Sequence, residues 1–477
     1  WVKYYAIKVI LLKKKDISDI EKIKKELNVK PYIPGRRGMF AKKFKIYSEN
    51  KTKLCIPKFY GLKNLGKPDI IDIDEGIDIK IKFNGSLRDY QIDVINKVLP
   101  LIQNQKGGTI SLPPGRGKTV IACNLISKLK KKTLVIVHKT FLLNQWISRI
   151  NFFLPDAKVG IIQGPKVDID DKDIVIGMLQ SISSKDDYGD DVFNSFGSLI
   201  IDECHHISSE KFSQLFKKLN TKYMIGLSAT PFRDDKLEKV IEWYIGKMIY
   251  YEKPKINQEI LVHMYKFNME HERYCMVYNK YTKEPQNATM ISNIVELKER
   301  NIFISNIIKD CRKNKDRKIL MLSDRRNHLE YIKDRVDKLN IGTTGYYVGG
   351  MKQDKLDISA KADIIFSTYS MSSEALDIDT LNTVILSTSR RKIEQSVGRI
   401  LRKQKGNYKV DPLIIDIIDK IPTFTNQSYT RKAYYKKITK EKDMFTFKYE
   451  NGEIVKEKKK VKKKVVEEKE ELFVDSD

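Results

Sequence analysis

The stretch that decides the fold is Gly107-Gly108-Thr109-Ile110-Ser111-Leu112-Pro113-Pro114-Gly115-Arg116-Gly117-Lys118-Thr119. A short β-prone run enters a Pro/Gly turn, and the turn ends in Gly-Lys-Thr where a helical apolar pattern begins with Val120, Ile121, Leu125, Ile126 and Leu129. Strand, loop and helix in that order form a phosphate cradle. Glycines let successive backbone N–H groups converge on an anion, and the helix N-terminus adds its dipole. In such a cradle Lys118 reaches the β- and γ-phosphates of a nucleotide and the Thr119 hydroxyl holds Mg²⁺. Leu112 stands where the strict pattern has glycine, so the loop alone is also compatible with an ordinary strand-to-helix turn. Its reading depends on partners elsewhere in the chain.

A phosphate loop needs an acidic group at the end of a neighbouring strand. Ser198-Leu199-Ile200-Ile201-Asp202-Glu203-Cys204-His205-His206 supplies one, roughly 80 residues downstream. The apolar run delivers Asp202 to the carboxyl end of a strand, where ligands bind in open α/β sheets. Asp202 is then placed to hold Mg²⁺, and Glu203 to orient and deprotonate the attacking water. A zinc site from Cys204, His205 and His206 is the weaker alternative, because three consecutive side chains diverge and no second ligand cluster exists.

Further out, residues 85–252 alternate apolar strands with helices, at Thr109–Leu112, Thr133–Val137, Val159–Ile162, Ile174–Ile176, Leu199–Ile201 and Met224–Leu227. Most run without polar alternation, as strands buried on both faces of a parallel sheet do. Residues 253–422 repeat the style at Lys318–Leu322, Gly345–Val348, Asp363–Ser367, Thr383–Leu386 and Pro412–Ile415, after a charged helical segment at His271–Arg300. The amino-terminal residues 1–84 read as a small α+β domain. Tyr4–Leu12 forms one strand, Ile17–Leu27 a helix, and Phe44–Tyr47 pairs with Lys53–Phe59 across Ser48-Glu49-Asn50. Its lysines interleaved with aromatics (Lys42, Lys43, Phe44, Lys45, Tyr47, Lys58, Phe59, Tyr60) suit either a nucleic-acid backbone or a solvated sheet face. Residues 423–477 lose apolar content and end in basic Lys456–Lys464 and acidic Glu467–Glu471 blocks, which predicts a charged flexible tail.

The 477 residues carry 90 Lys plus Arg against 62 Asp plus Glu, a formal net charge of +28, which favours a polyanion partner over a merely solvated surface. Only 18 of the basic residues are arginine, so a cluster of arginines marks contacts that lysine serves poorly. The five cysteines have no C-x-x-C pair and the count is odd, which fits a reduced intracellular compartment. No apolar run reaches membrane-spanning length. Val2–Leu12 is short and followed by Lys13-Lys14-Lys15, the wrong order for a signal peptide. The chain begins at Trp1 rather than Met, as a trimmed chain would.

Gly-Lys-Thr, Asp202-Glu203-Cys204-His205, Ser228-Ala229-Thr230 and Gln395-Ser396-Val397-Gly398-Arg399-Ile400-Leu401-Arg402, in this order, resemble superfamily 2 helicases of the DEAD/DEAH group. The likeness runs from Leu87 to Lys403. It implies an α/β fold with two RecA-like parallel-sheet domains in tandem behind the small α+β domain, and ATP and Mg²⁺ as cofactors. It assigns Arg88 and Gln91 of Leu87-Arg88-Asp89-Tyr90-Gln91 to the adenine, and Leu112, Pro113, Pro114, Gly115, Arg116, Gly117, Lys118 and Thr119 to the phosphates. His205, Ser228 and Thr230 link hydrolysis to domain movement. Lys139 beside Val137-His138, Gln180 and Ser181, Arg325 of Leu322-Ser323-Asp324-Arg325-Arg326, and Thr368 touch nucleic acid, while Asp377 serves the nucleotide. Glu374-Ala375-Leu376-Asp377 has alanine where many relatives carry glycine. Gln395, Arg399 and Arg402, spaced i, i+4, i+7, share one face if helical. From the second domain Arg399 and Arg402 would neutralise charge developing on the γ-phosphate.

Finer stretches, Leu112-Pro113-Pro114-Gly115, Leu87-Arg88-Asp89-Tyr90-Gln91 and Ala229-Thr230-Pro231-Phe232-Arg233-Asp234-Asp235-Lys236, are similar to XPB-type DNA translocases, UvsW-like phage helicases and the transcript-release helicases of poxviruses and other large DNA viruses, and Ile56-Pro57-Lys58-Phe59-Tyr60-Gly61-Leu62 is similar to the amino-terminal domain of the large-virus members. The resemblance implies an ATP-dependent translocase on DNA, in the transcription or repair of such a virus, with transcription machinery as a partner and no membrane. An RNA helicase is the alternative within the enzyme class, and a non-catalytic nucleic-acid-binding scaffold the alternative outside it. A viral source implies the host cytoplasm or the virion, with the nucleus as the lesser reading.

Overall fold

The computed structural model describes residues 4–6, 10–14, 19–32, 41–67, 70–71, 75–184, 188, 192–208, 213, 215–219, 221–229, 232–233, 235–253, 259–374, 376, 378–401, 409–450 and 452–457. The chain divides into two compact units, Trp1–Lys255 with Ser373–Asp377, and Ile256–Ser372 with Ile378–Asp477.

In the first unit the amino-terminal strands are β1 (Tyr4–Ala6), β2 (Ile10–Lys13), β3 (Asn28–Val29), β4 (Phe44–Lys45), β5 (Ser48–Glu49), β6 (Lys53–Ile56) and β7 (Ile70–Ile71). Five of them form a sheet in the order β5-β6-β2-β1-β7, and β3 pairs with β4. Two expectations are corrected here. Tyr4–Leu12 is not one strand: Tyr4–Ala6 pairs antiparallel with Ile10–Leu12, Tyr4 opposite Leu12. Phe44–Lys45 pairs with Asn28–Val29, and it is Ser48–Glu49 that pairs back on Lys53–Ile56. The turn is set by the Asn50 side chain, whose Oδ1 accepts from the N–H groups of Thr52 at 3.0 Å and Lys53 at 2.7 Å. Pro57 then stops the strand, and Lys58–Asn64 is helical.

The main sheet of this unit comprises β8 (Gly107–Ser111), β9 (Thr133–Val137), β10 (Val159–Gln163), β11 (Lys166–Val167), β12 (Ile174–Met178), β13 (Ser198–Ile201), β14 (Tyr223–Ser228) and β15 (Met248–Tyr251). Their order is β11-β10-β12-β9-β13-β14-β8-β15, parallel throughout except for β10 with β11. Strands β8, β9, β12, β13 and β14 are buried along their whole length, which explains the unalternated apolar runs of β9, β12, β13 and β14. Helices Asp89–Gln105, Lys118–Leu129 and Thr140–Phe153 contribute Val98, Ile121, Leu125 and Trp146 to a core shared with Val135, Ile176 and Ile225. The opposite core joins Leu134, Leu199 and Ile201 to helix Glu238–Ile245 and to Leu12, Leu27, Ile46, Leu54 and Tyr60 of the amino-terminal segment. Tyr244 Oη donates to the Ile46 carbonyl at 2.8 Å, and Tyr60 meets Trp243 edge-on at 5.4 Å.

The second unit has its own eight-stranded sheet, formed by β16 (Leu261–Phe267), β17 (Ile319–Ser323), β18 (Thr344–Tyr347), β19 (Ile364–Thr368), β20 (Thr383–Leu386), β21 (Leu413–Asp419), β22 (Met444–Glu450) and β23 (Glu453–Lys456). The order is β18-β19-β17-β20-β21-β16-β22-β23, and only β22 with β23 is antiparallel. Two buried ion pairs sit beside this sheet, Arg300 Nε with Asp419 Oδ1 at 2.7 Å and Arg431 Nε with Asp416 Oδ2 at 2.9 Å. The expectation of a flexible tail from 423 is corrected as far as 457. Pro422–Ile438 is a helix with Phe424, Arg431 and Tyr435 buried, and β22 extends the sheet by pairing with β16. Its aromatics are held by stacking, with Tyr265 and Phe447 centroids 4.8 Å apart and Phe267 and Tyr449 5.0 Å apart. The charged blocks beyond Glu457 lie outside the described residues.

Candidate active site and adjoining loops

The phosphate loop leaves β8 while still tied to the sheet, because the Leu112 N–H donates to the Ser228 carbonyl at 3.1 Å. Leu112 is fully buried and belongs to the core, so an apolar side chain occupies the position where a glycine is usual. Gly115 and Gly117 adopt φ of +80° and +70°, the left-handed region open to glycine. A Cβ on Gly117 would lie 2.4 Å from Gln91 Nε2, so the loop packs directly on the stretch expected to read the base. Helix Lys118–Leu129 starts behind Gly117, which has no side chain to cap it, and its leading N–H groups are suited to an anion.

The segment before the loop braces it. Gln91 Oε1 accepts from the Arg88 N–H at 3.0 Å, Tyr90 Oη donates to the Arg116 carbonyl at 3.4 Å, and the Arg116 guanidinium lies 3.5 Å from the centroid of the Tyr90 ring. Arg116 also pairs with Glu252 at 2.8 Å. Gln91 is buried and Arg88 exposed. Glu252 was not foreseen from the sequence, since only the fold brings the residue after β15 beside the loop, and Tyr90 stood in the expected stretch without a role of its own.

Across the sheet, Lys118 Nζ lies 3.2 Å from Glu203 Oε1. Asp202 is fixed on both oxygens: Oδ2 accepts from the Trp146 indole at 2.9 Å, and Oδ1 from the Glu203 N–H at 3.0 Å. Glu203 Oε2 is 3.3 Å from His205 Nδ1 and 3.5 Å from the Ala229 N–H, and His205 Nδ1 is 3.2 Å from Ser228 Oγ. Burial and the Glu203 charge beside it push the Asp202 carboxyl up. Burial opposes ionisation of Glu203 as well, but Lys118 and His205 outweigh it and hold that carboxyl well below the usual range. Cys204 points into the core, where burial pushes its thiol up. Among the described residues no group of three or more His, Cys, Asp or Glu is placed to hold a metal. Mg²⁺ in a phosphate site needs less. One carboxylate, a hydroxyl and phosphate oxygens suffice, and Asp202 with Thr119 offers these hard donors. Trp146 carries no motif signal; its helical spacing alone marks it as core.

Of the expected nucleic-acid contacts, Lys139 precedes helix Thr140–Phe153, Gln180 donates to the His138 carbonyl at 2.6 Å, and Ser181 Oγ accepts from the Gly164 N–H at 2.9 Å. In the second unit, Arg325 turns its guanidinium onto Ser292 Oγ at 3.0 Å and the Ala288 carbonyl at 2.8 Å. Thr368 ends β19 and accepts from the Met371 N–H at 3.4 Å. The helix carrying Gln395 covers only Glu394–Val397, and Arg399 and Ile400 follow in i→i+3 bonds to Ser396 and Val397. This corrects the expectation of a regular helix face shared by Gln395 and Arg399. Gly398 weakens the helix, and the tighter turn changes the angle between residues four apart. Thr230, Asp377 and Arg402 lie outside the described residues. No described helix is long and apolar enough to cross a membrane.

A phosphate loop and a Lys-Asp-Glu constellation at the carboxyl edge of a parallel sheet, with a second such sheet following, define a P-loop ATPase built on tandem RecA-like domains. Residues 84–233 match the family described as type III restriction enzyme, res subunit. A protein of Acanthamoeba polyphaga mimivirus, named as an ATP-dependent RNA helicase, is 38% identical over 435 residues that span 88% of this chain and 82% of that one. An African swine fever virus protein with the same form of name is 26% identical over 74% of this chain and 73% of its own length. Among solved structures, a fragment assigned as the HsdR subunit of a type I restriction enzyme from Vibrio vulnificus aligns with a TM-score of 0.52 at 17% identity, covering 78% of this chain and 71% of that one. The chain belongs to the superfamily 2 helicases and is an ATP-dependent enzyme of that family.

Proposed function

We propose that this helicase hydrolyses ATP at the Lys118, Asp202 and Glu203 site and uses the cycle to translocate along DNA in the transcription or repair of a large DNA virus, inside the infected host cell. The Lys118–Glu203 pair at 3.2 Å, beside an Asp202 held on both oxygens, is the observation that carries the chemistry. Arg88 and Gln91 hold the base, and residues Leu112 to Thr119 the phosphates, with Lys118 moving from Glu203 to the β- and γ-phosphates. Thr119 and Asp202 would hold Mg²⁺, which when bound offsets phosphate charge. Glu203, which keeps His205 3.3 Å away once Lys118 has moved, accepts a proton from the water whose oxygen attacks the γ-phosphorus as the bond to ADP breaks. Arg399 and Arg402 neutralise the charge that develops, with Gln395 in the same catalytic set and Asp377 serving the nucleotide. Ser228 and Thr230 join His205 in passing hydrolysis to movement.

Lys139, Gln180, Ser181, Arg325 and Thr368 grip the sugar-phosphate backbone without reading sequence. DNA rests on the finer likeness to XPB-type and UvsW-like enzymes, while the names of the viral relatives point to RNA. ATP turnover measured with no polymer, single-stranded DNA, duplex DNA and RNA separates the two, with Lys118→Ala as the inactive control. Stimulation by RNA alone would overturn DNA, and stimulation by none would remove the translocase reading. Glu203→Gln is expected to bind ATP and hydrolyse it poorly.

A further inference from the structure

The candidate nucleic-acid loops and the carboxylate that activates water stand on different strands. Along the carboxyl edge of the first sheet the order is β12, β9, β13, β14, β8. Gln180 and His138–Lys139 therefore flank one side, the phosphate loop the other, and Asp202–His206 lies between. An influence of a bound strand on Glu203 has to cross the turn after β13. Three imidazoles occupy that crossing. The Gln180 amide ties helix Leu179–Ser184, which follows β12 directly, to the His138 carbonyl at 2.6 Å. The His138 ring, 8% exposed, packs 4.2 Å from the His206 ring at a tilt of 38°, and His206 packs 4.3 Å from His205 at 36°. His205 Nδ1 then reaches Glu203 Oε2 at 3.3 Å.

The far end of this stack has two alternatives built in. Glu203 shares its carboxylate between Lys118 on one oxygen and His205 on the other, at 3.2 and 3.3 Å. Its backbone is held at a φ of +49°, a left-handed conformation uncommon for glutamate, so modest displacement of the turn re-aims the side chain. Closely packed rings transmit displacement because none can move without its neighbour.

We propose that His206, which no step of hydrolysis uses, is a positioning residue: through the His138–His206–His205 stack it passes occupancy of the 138–139 loop and the first turn of helix Leu179–Ser184 by a polynucleotide backbone to Glu203. The inference rests on the nucleic-acid-dependent ATPase reading above. Its test compares wild type, His206→Ala and His206→Phe in steady-state ATP turnover without polymer and with saturating single-stranded DNA, duplex DNA and RNA. His206→Ala is expected to cut the stimulation factor by roughly fivefold or more, with the polymer Kd and the KM for ATP unchanged. His206→Phe keeps a ring in the stack and keeps the stimulation. His206→Asn, polar and without a ring, replaces the alanine variant if that one does not fold, with the same expectation. Full stimulation in the ringless variants overturns the proposal, as does a proportional loss of the unstimulated rate, which marks a merely structural histidine. Equal loss in His206→Phe also overturns the stack. A wild-type enzyme that no polymer stimulates defeats the underlying reading instead, and it is read from the wild type alone.

Discussion

At the scale of single residues, two buried side chains have consequences that their sequence positions hide. Trp146 is fully buried and donates its indole N–H to Asp202, a carboxylate that burial already pushes toward the neutral form. Trp146→Phe keeps most of the ring volume and removes the donor. If Asp202 holds Mg²⁺ as proposed, the Mg²⁺ concentration for half-maximal ATP turnover is expected to rise by about tenfold, the scale of losing an outer hydrogen bond to a metal ligand; an unchanged Mg²⁺ titration would free Asp202 from dependence on Trp146. Lys58 is buried with its Nζ 3.4 Å from the Thr221 carbonyl, and burial, aided by the charge of Lys106, pushes its ammonium from 10.5 down to about 8. The unfolded chain therefore binds more protons between about pH 8 and 10.5, so stability rises with pH across that window. The cost at neutral pH is on the order of 3 kcal/mol. Lys58→Met is expected to raise the denaturant midpoint at pH 7, and the gain should vanish as pH approaches 10.5. A gain independent of pH would show that packing, not charge, produced it.

At the scale of elements, helix Pro422–Ile438 braces the arginine segment. Arg431 donates from Nε to Asp416 Oδ2 at 2.9 Å and from Nη1 to the Arg390 carbonyl at 2.9 Å, while Tyr435 Oη donates to the same Asp416 oxygen at 2.9 Å. A helix beyond every recognisable motif thus fixes the backbone that leads toward Arg399. Arg431→Met strands a buried carboxylate and is expected to cost about 3–5 kcal/mol in denaturant unfolding. Adding Asp416→Asn should return part of it and leave ATP turnover impaired, since the Arg390 carbonyl still lacks its donor. Full recovery of turnover would limit Arg431 to a stabilising role. This helix was illegible in the sequence because its polar residues are not its solvated face: Arg431 reads as charge and behaves as core. Strands such as β9 and β13 were legible for the opposite reason, since burial on both faces demands unbroken apolar runs.

At the scale of the molecule, the +28 charge predicts binding that is steeply salt-dependent. Affinity for a polynucleotide is expected to fall by at least about tenfold between 50 and 200 mM salt, measured by titration at fixed protein concentration. A flat salt response would return the lysines to solvation alone. The sequence by itself determined the two parallel α/β sheets, the phosphate loop and the Asp202–Glu203 pair, because each is written as local periodicity or as a contiguous motif. Only the tertiary structure decided what holds those parts in place. Trp146 lies 56 positions from Asp202 in the chain, and His138 lies 68 from His206; strand order, which no local pattern encodes, makes them neighbours. The same holds for Leu112. Its sequence marks it as a departure from the usual loop, and the fold supplies the reason, a fully buried side chain that anchors the strand end from which Gly115 and Gly117 can turn.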